Sequence, residues 1–356
     1  MLMLTEKTGK EILLGGWFLG GGGGGLPEGG QEVLEQVLSV GEVAFLSLED
    51  LAPDDMVVTA SLVGSPASKT AFVGNNHYED VYEQFCRNAS QKIAAFAANE
   101  AGGHSITNGW MISAITGVPM VDATCNGRAH PTGVMGAMGL HSIPGYTTLQ
   151  TAAGGKDERE VLLTVSGSVE TTSQMVRQAA VQAGGYVTVL RNAASAEYFR
   201  QNGAVGCITQ ARMIGRHWEA CIGSMPKLKQ MLKDLLDCRV LGEGRIEKLE
   251  LSISGGFDVG AFQVETEGEP LRVDFMNEYL TAEQGNERLA TFPELIAVID
   301  TKTQLPVCSA QLKKGMDVAV VAVPMKNLLL GKGMYLPELF IPLEEAIQKP
   351  MRPYLF

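Results

Sequence analysis

Basic clusters are missing from this chain: 28 Lys and Arg against 40 Asp and Glu leave a formal net charge of −12, with no Lys/Arg run. Neutralising phosphates requires a basic face, so no nucleic-acid partner is expected. Long apolar runs are missing too. Stretches such as Val318 to Val323 fall far short of the roughly 20 residues a membrane-spanning helix needs, so no membrane association is expected. The first residues, Met1-Leu-Met-Leu-Thr-Glu-Lys7, have no cationic lead before an apolar core. No signal peptide is therefore expected, and the cytoplasm is the expected compartment. Six cysteines are scattered without a CxxC pair, which reads as buried thiols in a reduced compartment. Neither HExxH nor GxxxxGK(S/T) occurs, so zinc-protease and P-loop chemistry have no signature here.

Glycine, by contrast, is plentiful, and six glycines stand in a row from Gly20 to Gly25. Such a run gives up more backbone entropy on ordering than any other hexapeptide, a cost of several kcal/mol, roughly 0.5–1 for each glycine. A surface linker is one reading. The position, some twenty residues into the chain and between two helical patterns, favours a loop whose backbone approaches an anion, a neighbouring loop or a substrate. Gly22 and Gly23, at its centre, are the residues expected against a ligand.

With 45% hydrophobic and 19% charged residues, the 356-residue chain can bury a sizeable core. Thr8-Gly-Lys-Glu11 resembles a capping box opening a helix through Phe18. Apolar residues at 33, 34, 37 and 38 predict a second helix that Gly41 stops. Strands are predicted over 43–48 and 56–63, the latter ended by Gly64-Ser65-Pro66, then over 118–122, 147–152 and 160–166, and residues 93–98 read as a buried strand or a helix end. Helices are predicted over 78–88, 106–115 and 170–183. This alternation indicates α/β architecture. The expected fold is an N-terminal α/β domain with a largely parallel or mixed sheet over 1–168. A C-terminal α+β half follows over 169–356, helical to 238 and rich in β-strands from 239. Apolar helices after Glu170 make a homo-oligomer the expected state.

Two loops after predicted strands concentrate the chemistry. The first, Glu100-Ala-Gly102-Gly103-His104 through Asn108, offers backbone N–H groups where a following helix begins. Glu100 and His104 suit acid–base work or metal binding. The second, Asp122 to Pro131, holds Asp122, Cys125, Arg128 and His130 within nine residues. Asp122 is a turn residue or a functional carboxylate. Cys125 is an inert thiol, a nucleophile or a metal ligand. Arg128 is a partner for Glu100 or a bidentate fork for an anionic substrate. On the second reading, Arg128→Ala weakens ligand capture more than folding. Asp122, His104 and His130 are the candidate ligands should a divalent metal ion bind. In open α/β sheets ligands gather beyond the carboxyl ends of strands, so both loops are expected to face one cleft. Later, Asn277-Glu278 interrupts the apolar stretch Phe275 to Ala282: either an edge or turn position, or two residues that reach across from the second half to order the glycine-rich region or cleft.

Taken together these motifs resemble the S-methyl thiohydantoin desulfurase family, a family associated with hydantoinase and oxoprolinase genes. The resemblance covers most of the chain. It rests on Leu19 with Gly20–Gly25, on Glu100-x-Gly102-Gly103, and on Val121-Asp122-Ala123 followed by Gly127-Arg128-Ala129-x-Pro131. Phe275-x-Asn277-Glu278-x-Leu280-x-Ala282 and Pro293-Glu294-Leu295-Ile296 complete it. The chain departs from the family pattern at Thr124 and Thr132, where acids are usual, and at His130 and His104-Ser105. The resemblance implies a small-molecule enzyme that cleaves the exocyclic C–S bond of a thiohydantoin ring. Asp122 or Glu100 would then be base or metal ligand, Gly102 and Gly103 amide donors, and Arg128 the anchor. Two alternatives stay open: ring-amide hydrolysis of a hydantoin- or oxoproline-like compound, and a non-catalytic subunit with a hydantoinase-type partner.

Overall fold

A computed structural model describes residues 1–64, 70–254 and 257–355. The predicted turn at Gly64-Ser65-Pro66 lies outside these residues beyond Gly64. Nine strands form the first sheet among the described residues: β1 (Leu2–Met3), β2 (Ala44–Leu46), β3 (Met56–Gly64), β4 (Ile93–Ala98), β5 (Met120–Thr124), β6 (Thr148–Gly154), β7 (Val161–Gly167), β8 (Tyr186–Ser195) and β9 (Ala204–Val205). Their order is β1-β2-β5-β4-β3-β8-β6-β7, with β9 on β5. The centre, β2-β5-β4-β3, is parallel, and the flanks are antiparallel. The sheet is therefore mixed, and β8 and β9 carry it past residue 168. The central strand β4 reads Ile-Ala-Ala-Phe-Ala-Ala and is buried along nearly its whole length, as a strand covered on both faces must be.

Helices α1 (Glu6–Gly20), α2 (Pro27–Val40), α3 (Asn75–Asn88) and α4 (Trp110–Thr116) belong to this first half. The capping box of α1 sits one turn earlier than predicted. The Thr8 amide donates to Thr5 Oγ1, and the Thr5 amide donates to Thr8 Oγ1. Glu11, expected to close the box, is instead buried in an ion pair with Arg212. The helix expected over 106–115 is α-helical only from Trp110, because Gly109 at φ +95° breaks the turn before it. Helices α5 (Val169–Gln182), α6 (Ala196–Asn202), α7 (Cys207–Glu219) and α8 (Met225–Leu236) follow. Sequence periodicity did not single out α7, yet its Ile208, Ala211, Ile214 and Trp218 join α1 in the main core.

Seven antiparallel strands make the second sheet among the described residues: β10 (Arg239–Ser254), β11 (Phe257–Val264), β12 (Leu271–Met276), β13 (Glu278–Gln284), β14 (Glu287–Thr291), β15 (Leu295–Asp300) and β16 (Asp317–Val323), ordered β14-β13-β12-β11-β10-β16-β15. Its own core holds Phe262, Phe275, Tyr279 and Val320. What reads in sequence as one interrupted strand over 275–282 is a hairpin: Asn277 takes φ +58° and divides β12 from β13. Helix α9 (Ile341–Ile347) and the chain end cover this half, with Leu343, Met351 and Leu355 packed on Phe292 and Leu280. No helix among the described residues is long and apolar enough to cross a membrane.

Candidate active site

Strands β4 and β5 are parallel neighbours, so the loops after them leave the sheet on the same side. The two chemistry-bearing loops consequently meet. Glu100 Oε2 accepts from the His130 amide at 3.3 Å and stands 3.2 Å from His130 Nε2. On the far side of that ring, Nδ1 lies 2.9 Å from the Thr132 carbonyl oxygen. A carbonyl only accepts, so the network assigns the imidazole proton to Nδ1. Nε2 is then an acceptor whose single lone pair is shared between Asn99 Nδ2 at 3.1 Å and, when that carboxyl is protonated, Glu100.

The glycine run passes over this pair. Gly21 ends α1 in the left-handed region, and its carbonyl accepts from the Tyr279 amide. The Gly22 carbonyl accepts from the Ser309 amide, while that of Gly24 accepts from both the His104 and Ser105 amides. The run is thus sewn to the second half at one end and to the Glu100 loop at the other. Two positions show why only glycine serves. A Cβ on Gly23 would overlap the Glu278 carboxylate. Gly24 has φ +73°, and a Cβ there would come within 2.5 Å of the Gly102 Cα. The amides of Gly22, Gly24 and Gly25 donate to no acceptor among the described residues.

Between these parts lies a cavity of about 260 Å³. Gly22 to Gly25 form one wall, Glu100, His104, Asn108 and His130 the second, and Asn277, Glu278 and Ser309 the third. Asn277 holds its corner by accepting from the Asp258 amide through Oδ1 and donating its own amide back to the Asp258 carbonyl. Glu278 is 2% exposed, and its Oε2 has no hydrogen-bond partner. The cavity therefore joins both halves of the chain, and Gly22 and Ser309 on its walls are 287 positions apart in sequence.

Burial governs the charge states. It pushes the Glu100 carboxyl up to about 7, against the Ser105 hydroxyl, the His130 amide and the positive charges of Arg191 and Arg128. Glu278 is raised well above the carboxylate range, first by burial and then by the nearby Glu100; Arg128 opposes this without prevailing. His130 is pushed down to about 3 by burial, helped by Arg191, so it is neutral at ordinary pH. Burial also lowers His104. Arg128 is brought down to about 10 and stays charged at neutral pH.

Several candidates stand elsewhere. Arg128 is fully buried and off the cavity wall; its Nη1 donates to the Pro293 and Glu294 carbonyls, and its guanidinium lies 4.6 Å over the Phe292 ring. Its charge still reaches Glu278 and Glu100. Asp122 caps α7: both its oxygens are held, by the Thr209 amide and hydroxyl. Cys125 is buried beside the Thr59 hydroxyl with its thiol pushed up to about 11 by burial, the opposite of an activated nucleophile. Gly102 and Gly103 pack their backbones against Gly24 and Gly25 and do not line the cavity. Asp122, His104 and His130 do not assemble: among the described residues no three His, Cys, Asp or Glu side chains group so as to hold a metal ion.

Other participants escaped the sequence reading. Arg191, on β8, is 4% exposed, donates through Nε to Ser61 Oγ at 3.0 Å, and acts on Glu100 and His130 through its charge. Its signal was a lone charge after the apolar run Tyr186 to Leu190. Asn99 had no signal beyond its place before Glu100. Ser309 had none.

Models of known families match nearly the whole chain: the S-Me-THD-like N-terminal domain over residues 8–165 and the S-Me-THD-like C-terminal domain over 167–335. A crystal structure of a protein from Chromobacterium violaceum is similar at TM-score 0.76 and 19% identity, covering 98% of this chain and 97% of that one. At that identity the likeness speaks for the fold. No curated protein matches.

Proposed function

Since the chain belongs to the S-Me-THD-like family, we propose that its cavity hydrolyses the C–S bond of a thiohydantoin-type ring. The observation that carries this reading is a pair of carboxyls lining one cavity, largely buried Glu100 and fully buried Glu278, both pushed up by burial. Such a pair divides acid from base work. In this reading Glu100, raised to about 7, is the base, and Glu278, raised by burial and by its neighbour Glu100, is the acid.

In the proposed reaction Glu100 takes a proton from water as the water oxygen bonds to the ring carbon that bears sulfur. The displaced C=N electron pair moves to the ring nitrogen, which takes the proton of Glu278. The C–S bond then breaks with its electron pair leaving on sulfur. Glu100 returns its proton to that sulfur, and the adduct hydroxyl returns one to Glu278 as the carbonyl forms. Methanethiol and a hydantoin leave, and both carboxyls end as they began. Neutral His130 accepts a hydrogen bond from protonated Glu100 and so steadies the intermediate state. The unpaired amides of Gly22, Gly24 and Gly25 are donors for negative charge developing on the ring. Two buried guanidiniums, Arg128 and Arg191, against one ionised carboxylate leave a local positive field that favours the same charge.

The test is incubation with an S-methyl thiohydantoin, following thiol release and the hydantoin product together. Thiol release that disappears in both Glu100→Gln and Glu278→Gln is the expected result. Ring opening without sulfur release would transfer the reading to ring-amide hydrolysis. Absence of any turnover, with a hydantoinase-type protein co-purifying, would point to a subunit role.

A further inference from the structure

Helix α2 follows the glycine run after Leu26, and beside its buried side it has a second, less buried face, of which Val33 touches the core while Glu32 and Gln36 are exposed. Gly30, Leu34 and Val37 are its buried side. Gly29, Glu32, Val33 and Gln36, spaced i, i+3, i+4 and i+7, instead line a second cavity of about 130 Å³. Tyr78 from α3 and Tyr186 from β8 close it opposite Glu32. Leu62, His104 and Asn108 line both cavities, so these three residues form the partition between the proposed reaction chamber and this side chamber. A Cβ on Gly29 would come within 2.9 Å of His104 Nδ1, so the bare backbone there keeps room for the imidazole in the partition.

The chamber's chemistry is one-sided. Glu32 is the formally charged group among its lining residues, no Lys or Arg lines it, and burial keeps His104 on the neutral side. Glu32 lies near enough to Tyr186 for its negative charge to add to burial in holding the phenol proton on. A carboxylate with two phenols and two side-chain amides supplies acceptors for a cation, and no cationic side chain in the lining balances an anion.

We infer that this side chamber is the subsite for a ring substituent ending in an ammonium or guanidinium group, with His104 and Asn108 as the neck through which the substituent passes. The inference rests on the ring-binding reading of the main cavity and adds the substituent class to it. It is tested by binding, independent of turnover. Sulfur-free hydantoins carrying an aminoalkyl arm or an uncharged alkyl arm of equal length are titrated calorimetrically into the whole protein, wild type and Glu32→Gln. The wild type should prefer the aminoalkyl ring by about 5-fold or more. Glu32→Gln should bring the two within about 2-fold, Glu32→Lys should reverse the order, and raised salt should shrink the wild-type preference. Because Glu32 is exposed, these variants should fold, which a melting curve checks. Equal affinity for both rings in the wild type, or an equal effect of Glu32→Gln on both, overturns the subsite. A clear aminoalkyl preference with no thiohydantoin turned over would sink the C–S reaction and leave the subsite standing. No binding of either ring overturns both.

Discussion

Replacing Glu100 with Gln should make the protein more stable at alkaline pH while removing its proposed activity. Gln keeps the size of the protonated carboxyl: with its amide nitrogen in the place of Oε2 it can donate to His130 Nε2, and it gives up only the 3.3 Å bond that the same atom accepts from the His130 amide. What it removes is the cost of a buried negative charge. Burial raises the Glu100 carboxyl from 4.5 to about 7 in the folded chain. A folded-state value above the unfolded one means that the folded protein holds the proton more tightly. The stabilisation is therefore complete below pH 4.5 and is lost as pH rises through about 7. A shift of about 2.5 units at roughly 1.4 kcal/mol per unit amounts to about 3 kcal/mol, of which about 2.5 falls between pH 5.0 and 8.5. Glu100 is 14% exposed at its side chain, so solvent screens this little. Urea unfolding of wild type and variant at both pH values measures the quantity, and the difference between the proteins cancels groups common to both. Near-equal stability at pH 5.0 and an advantage of about 2–3 kcal/mol for the variant at pH 8.5 is expected. The same difference at both pH values would refute the burial argument, and with it the assignment of Glu100 as a base poised near neutrality.

Three more expectations follow from the same geometry. Turnover should rise with pH through about 7 as Glu100 ionises and fall at higher pH as Glu278 loses its proton, giving a bell in kcat/KM whose acid limb vanishes in Glu100→Gln. Gly23 has no left-handed φ, and the nearest obstacle to an alanine there is the Glu278 side chain; Gly23→Ala should cost about 1–3 kcal/mol, and the double variant with Glu278→Ala should recover most of it in a denaturation cycle. Arg128→Ala should cost about 3–5 kcal/mol of stability, because it empties a fully buried site, removes the stack on Phe292 and strips the Pro293 and Glu294 carbonyls of their donor; a variant that melts like wild type but binds a hydantoin far more weakly would restore the anchor role.

Local order was largely legible. Gly41 stops α2 as expected, and of the two readings of 93–98, buried strand or helix end, the strand is the one found, as β4. Those features depend on caps, periodicity and breakers within a few residues. The misreadings came where a distant partner decides. Glu11 looks like a capping residue until Arg212 claims it, and Asn277 looks like a strand interruption until its exchange of hydrogen bonds with Asp258 turns the chain into a hairpin.

The sequence alone established that a glycine loop, an acid–diglycine loop and an arginine–histidine loop exist, and that the last two follow strands. Backbone freedom and strand pattern are local properties, and they survive without coordinates. Tertiary structure alone decided which side chains share the cavity. Glu100 and His130 turn inward because β4 and β5 run parallel side by side. Asp122 points to α7, and Arg128 lies off the cavity wall. Glu278 meets Gly23 across 255 positions of chain. Desolvation and the field of charges from other segments set the protonation of both carboxyls, and neither quantity is defined until the chain has closed around them.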